Sequence, residues 1–153
     1  MSKASDVMVS EVITVDENAL VLAVLKYFIT HRISGLPVVN QAHEVVGFIS
    51  DGDLLKNIGH HKPVIFDAIA IASTGIWYDQ EGIEDRIKEL LQLKVMDIAT
   101  HKVITVDSDT EIGDVAEILG QKKIKKVPVV KNGKLIGIIS RGDLLRFVGS
   151  IFI

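Results

Sequence analysis

The stretch GFISDGDLL, residues 47–55, ends an apolar run at Ser50, places Asp53 three residues later and continues into two leucines. GIISRGDLL, residues 137–145, repeats the pattern with Ser140 and Asp143. A serine followed three residues on by an acid suits the start of a helix. The hydroxyl accepts from a free backbone N–H, and the acid reaches back to the N–H of the serine. The same pair can hold a polar ligand, because a helix N-terminus favours phosphate and a carboxylate accepts hydrogen bonds from vicinal hydroxyls. The tetrapeptide alone does not separate the two readings.

Outward from this pair, the whole chain repeats itself. VITVD at 12–16 returns at 103–107, LPVV at 36–39 returns as VPVV at 127–130, and VM at 7–8 returns at 95–96. The order is preserved, and the small insertions and deletions fall between the apolar runs. In each copy the β-branched VITV suits a strand. Val21, Val24, Leu25, Phe28 and Ile29 follow at helical spacing, as do Ile112, Val115, Ala116 and Leu119 in the second copy. Ser108 with Glu111 predicts a capping box for that second helix. ISGLPVVN or IKKVPVVK, then VVGFIS or LIGIIS, read as paired strands, and Asn132-Gly133 is a strong hairpin signal. Ser-x-x-Asp opens a closing helix that would bury Leu54, Leu55 and Ile58, or Leu144, Leu145 and Val148.

A unit of ~50 residues leaves an apolar face open. The expected fold is therefore α/β (α+β): two β-α-β-β-α units packed with pseudo-twofold symmetry. Residues 1–59 and 95–153 are the two repeats, and 60–94 is a partly helical insertion between them, the whole forming one globular pair. In the insertion, EGIEDRIKELLQL predicts an amphipathic helix with Ile83, Ile87, Leu90 and Leu91 on one face. The segment is too apolar for a disordered linker and is expected to pack on the pair or against another copy.

The bulk properties exclude several classes. Of 153 residues, 48% are apolar and 24% charged, with a net charge of −3, which leaves no basic footprint for nucleic acid. The absence of cysteine removes disulfides, thiolate catalysis and Cys-based zinc sites, and suits a reducing cytosol. No signal-peptide pattern opens the chain, and no run reaches the ~18–20 apolar residues of a membrane span. A soluble, cytoplasmic chain with no membrane partner is expected. Neither G-x-S-x-G, GxxxxGK[ST] nor GxGxxG occurs, so no catalytic residues are assigned and no enzyme is expected. His60 and His61, with His43 or His101, read as surface histidines: neighbours do not share a helix face, no acid stands at ligand spacing, and no metal is assigned. Trp77 and Tyr78 read as packing or interface residues. The apolar tail RFVGSIFI is expected to be buried, within the chain or between subunits.

The order VM…VITVD…helix…SGLPVV…VVGFISDGDLL, given twice, resembles the cystathionine β-synthase (CBS) domain in its tandem form, the Bateman module, over about 7–59 and 95–149. The resemblance implies a regulatory sensor module with no obligatory cofactor. Its ligand would be an adenine nucleotide (AMP, ADP or ATP) or S-adenosylmethionine, bound in clefts between the repeats. It also implies a homodimer and an unidentified regulated protein partner. One site would combine Met8, Val12, Ile13, Ile33, Ser34 and Leu36 with Ser140, Arg141 and Asp143. The other would combine Met96, Val103, Ile104, Ile124, Lys125, Lys126 and Val127 with Ser50 and Asp53. The aspartates would accept ribose hydroxyls, the serines would touch ribose or phosphate, and Lys125 and Lys126 would meet phosphate. Lys122 and Lys123 read as a solvated helix end. Because ISGLP stands where the second copy has IKKVP, the two sites are expected to be unequal. The alternative is a structural dimerisation or interaction module with empty clefts, in which Ser-x-x-Asp only caps helices.

Overall fold

The computed structural model describes residues 2–59, 82–121 and 124–153. The first repeat holds α1 (Ala4–Val7), β1 (Val15–Asp16), α2 (Val21–His31), β2 (Gly35–Val39), β3 (Val45–Ser50) and α3 (Asp51–Gly59). The second follows α4 (Ile83–Gln92) with α5 (Val95–Ile98), β4 (Val106–Asp107), α6 (Ile112–Gln121), β5 (Lys126–Lys131), β6 (Lys134–Ser140) and α7 (Arg141–Phe152). Each repeat carries a three-stranded sheet, ordered β1-β2-β3 and β4-β5-β6, with a parallel first pair and an antiparallel hairpin. Both hairpins shift register at the matching place, Val38/Val39 and Val129/Val130. Asn132 and Gly133 turn the second hairpin with φ of 53° and 78°, as a tight primed turn requires.

The strand periodicity builds the cores. Leu36, Val38 and Ile49 are sealed in the first core with Val21 and Val24 of α2, and Val127, Val129 and Ile139 in the second with Val115 and Leu119 of α6. Ile29 and Ala116 were expected on these buried helix faces and lie exposed instead, at the edge of the apolar stripe. The VITV runs form far less strand than their β-branched composition predicts. Only Val15–Asp16 and Val106–Asp107 pair, because the residues before them leave the sheet and cross to the other repeat. The capping box expected at Ser108 is also absent. Helix α6 starts only at Ile112, with Glu111 O accepting from Asp114 and Val115, while buried Ser108 gives its carbonyl to Ser5 N.

The leaders of the two repeats are exchanged. Ala4 of α1 is fully buried in the second core, and Val9 N and O bond Ile138 O and N at 2.9 and 3.0 Å, so Val9 pairs with the edge of β6. Conversely Val95 and Leu90 are buried in the first core, and Thr100 bonds Phe48 in both directions at 2.9 Å along the edge of β3. Helix α4 packs against α2 and α3, as its amphipathic pattern predicts. His60, His61, Trp77 and Tyr78 lie outside the described residues. Val148, Ile151, Phe152 and Ile153 are exposed on the single chain, with Phe152 at 80%, so the tail is not buried within the chain.

Candidate functional site

The exchange fixes where the clefts are. After docking on the opposite sheet, each leader crosses the seam to reach its own repeat, and residues 11–13 and 102–104 line the two cavities on the way. The larger, of about 360 Å³, brings Ser50 and Asp53 of the first repeat together with Val103, Ile104, Ile124, Lys125 and Lys126 of the second. The smaller, of about 240 Å³, brings Val12, Ile13 and Ile33 together with Ser140 and Asp143. These are called the Asp53 cleft and the Asp143 cleft below. Gly35 and Lys126, which occupy matching strand positions, line both, and Lys126 Nζ donates to Gly35 O at 3.3 Å.

Both Ser-x-x-Asp elements are complete helix caps. Asp53 Oδ2 accepts from Ser50 N at 2.9 Å and from Ser50 Oγ at 3.1 Å, and Asp53 N donates back to Ser50 Oγ at 3.3 Å. Asp143 Oδ2 accepts from Ser140 N at 2.8 Å, and Asp143 N donates to Ser140 Oγ at 3.1 Å. The second carboxylate oxygens differ. Asp143 Oδ1 holds Arg146 Nη2 at 2.7 Å, whereas Asp53 Oδ1 makes no hydrogen bond among the described residues, and Asp53 lines a cavity. The N-terminal amides of α3 are already used: Asp51 N on Ser34 O at 2.7 Å and Gly52 N on Asp51 Oδ1 at 2.7 Å. A phosphate would therefore meet lysine side chains here before it met a free helix end.

Burial tends to raise the Asp143 carboxyl, but the Ser140 N–H and hydroxyl and the Arg146 guanidinium outweigh it and hold the group below the ordinary aspartate range. Lys126 moves the same way for a different reason. Partial burial pulls its ammonium below the ordinary lysine range, and the charge of Asp143 only partly opposes that. Among the described residues no group of three or more His, Cys, Asp or Glu could hold a metal ion, and no helix is long and apolar enough to cross a membrane.

A CBS-domain family model matches residues 4–60 and again 95–150. The chain belongs to the CBS-domain family. It is 36% identical over 148 residues to the protein MJ1426 of Methanocaldococcus jannaschii, covering 92% of this chain and 87% of that one. It is 30% identical over 153 residues to the chloroplastic CBS-domain protein CBSX1 of Arabidopsis thaliana, covering 95% of this chain and 61% of that one. The fold superposes on a crystal structure of CBSX2 in complex with AMP with a TM-score of 0.76 at 25% identity, over 99% of both chains.

Several residues singled out in this CBS pair sit elsewhere. Met8 packs on Gly137 of β6, and Met96 on Gly47 of β3, so these methionines fill the space above strand glycines rather than lining a cleft. Leu36 and Val127 point into the cores at 1% and 0% exposure, because strand alternation turns their neighbours Gly35 and Lys126 to the clefts. Ser34 lines the Asp53 cleft and not the Asp143 cleft. Its strand end is paired with its own repeat, Gly35 opposite Ser50. Arg141 lines neither cavity; its Nε donates to Leu119 O at 3.0 Å, in the last turn of α6. In the other direction, Phe48, Thr100 and Lys102 of the Asp53 cleft and Val9, Glu11 and Ile138 of the Asp143 cleft escaped the sequence reading. The leader exchange that places them follows from no local pattern. Glu11 and Lys102 were nonetheless visible as the residues before the repeated VITVD.

Proposed function

We propose that this CBS pair is a non-enzymatic regulatory sensor whose ligand is an adenine nucleotide, with AMP, ADP, ATP and S-adenosylmethionine as the compounds to compare. The observation that carries the proposal is the Asp53 cleft. An Asp53 oxygen without a hydrogen bond stands ready for ribose hydroxyls, Val103, Ile104, Ile124 and Phe48 offer apolar walls for a base, and Lys125 and Lys126 offer cations for phosphate. Its volume of about 360 Å³ falls in the range of small-molecule sites, ~300–1,000 Å³. The AMP complex of the similarly folded CBSX2 supports the same ligand class. Binding would draw the repeats together across the seam and alter the face shown to a regulated protein partner, within the limit set by differential affinity.

Thermal melts with each compound test this. A ligand at ~100 times its dissociation constant adds ~2.7 kcal/mol, a shift of ~5–10 °C for a chain of this size. The shift should disappear in Asp53→Ala. No shift with any compound would favour the second reading, a structural module with empty clefts, for which the completeness of both capping boxes speaks.

We also propose a homodimer through the closing helices. Leu145 is 70% exposed and Phe152 80%, and Leu55 stands at the position of α3 that matches Leu145. Sedimentation should show a dimer that Leu145→Glu with Phe152→Lys converts to a monomer. A wild-type monomer at all accessible concentrations would remove this assignment.

A further inference from the structure

The two clefts carry opposite charge at one pair of repeat-matched positions. Residues 11 and 102 each stand directly before VITVD, and each lines the cleft that its segment crosses: Glu11 the Asp143 cleft, Lys102 the Asp53 cleft. The remaining linings accentuate the difference. The Asp53 cleft sets Lys102, Lys125 and Lys126 against Asp51 and Asp53, while the Asp143 cleft sets Glu11 and Asp143 against Lys126. Lys126 is shared, half-buried and bonded to Gly35 O. Arg146 pairs with Asp143 from a side chain that is 74% exposed and lines neither cavity, and Arg141 is turned to Leu119 O.

We infer that Glu11 and Lys102 sort ligands by charge: the Asp53 cleft admits phosphorylated adenosine compounds, and the Asp143 cleft admits an adenine nucleoside without phosphate and turns the phosphomonoester away. This rests on the adenine-ligand reading above and adds which form of the ligand each cleft accepts. A phosphate dianion entering the Asp143 cleft meets two carboxylates whose attraction for it is negative and only one cation, already committed. In the Asp53 cleft the same dianion meets three ammonium groups, one of them the shared Lys126, against the carboxylates of Asp51 and Asp53. Such repulsion excludes a ligand as effectively as attraction recruits one. The smaller volume, about 240 Å³ against about 360 Å³, acts in the same direction.

Calorimetric titration of the full chain with AMP and with adenosine tests the inference. AMP should occupy one cleft per chain, in a manner lost in Asp53→Ala and kept in Asp143→Ala; adenosine binding should show a component lost in Asp143→Ala. Both residues 11 and 102 are exposed, so charge reversal there leaves the cores untouched. Glu11→Lys should open the second cleft to AMP and raise its stoichiometry from one to two. Lys102→Glu should weaken AMP by about tenfold or more, the factor that ~1.4 kcal/mol represents, and leave adenosine unchanged. Equal AMP binding at both clefts in the wild-type chain, or a folded Glu11→Lys variant still binding a single AMP, would overturn the inference while leaving the adenine-ligand reading intact. No binding of either compound would remove that reading and the inference with it.

Discussion

Gly137 shows how a single residue type serves the whole arrangement. A Cβ built there would stand 2.7 Å from Met8 Cγ, well inside contact distance, whereas at the matching Gly47 the nearest atom is Met96 Sδ at 3.0 Å. The glycine of the Gly-apolar-apolar-Ser element is therefore the seat for the methionine of the exchanged leader. Overpacking of this kind costs ~1–3 kcal/mol. Gly137→Ala should destabilise the chain by that amount, and Gly47→Ala by less. Met8→Ala should relieve the clash, so the double variant should be less destabilised than the sum of the two single variants in a urea-melt cycle. Strict additivity would mean that Met8 does not fill this space. The sequence shows both glycines and both methionines at repeat-matched places. What it lacks is any signal that they meet across repeats, and the methionines were placed in the clefts by the family resemblance alone.

At the level of elements, the starts of α3 and α7 were legible and that of α6 was not. Ser140 and Asp143 form the capping box that their spacing predicts, and Ser140→Ala should cost about 1 kcal/mol, ~2–4 °C in melting temperature. The acid limb of stability carries the sign of the Asp143 shift. The carboxyl titrates lower in the folded chain than its ordinary value of 3.8, so its contribution is fully present above that pH and is lost as pH falls through the lower folded value. Ligand-free Asp143→Asn should flatten this limb relative to wild type, and an unchanged limb would count against the carboxylate's part in the cap. The strands were less legible. Pro37, Pro128 and the alternating Val and Leu residues mark β2 and β5 correctly, yet VITV has the composition of a strand and spends most of its length crossing the seam. Composition reports what a segment can pair with, and here the partner for the first two residues of each run is a cavity.

For the molecule as a whole, the duplication was the most readable feature, and it correctly places the clefts between copies. The packing units are nonetheless displaced from the repeats. The first core draws on residues 13 to 99, and the second on residues 4–8 together with 106–144. A fragment of residues 10–100 should therefore melt cooperatively as a monomer, since it contains its own sheet, α4 and the leader that completes its edge. A fragment of residues 1–59 should not, because α1 has no core to enter and Leu54 of α3 loses its cover from α4. Circular dichroism melts of the two fragments distinguish these outcomes, and equal cooperativity would show that the exchange is dispensable.

The exchanged leaders also decide what half of this chain must do when alone. Residues 95–153 carry a leader whose seat, above Gly47, belongs to the missing half, and an empty seat above Gly137 where Met8 would have been. One such polypeptide cannot close on itself, but two can, each lending its leader to the other. An isolated 95–153 chain is expected to form a reciprocal domain-swapped pair, the arrangement that the two repeats make within the tandem chain.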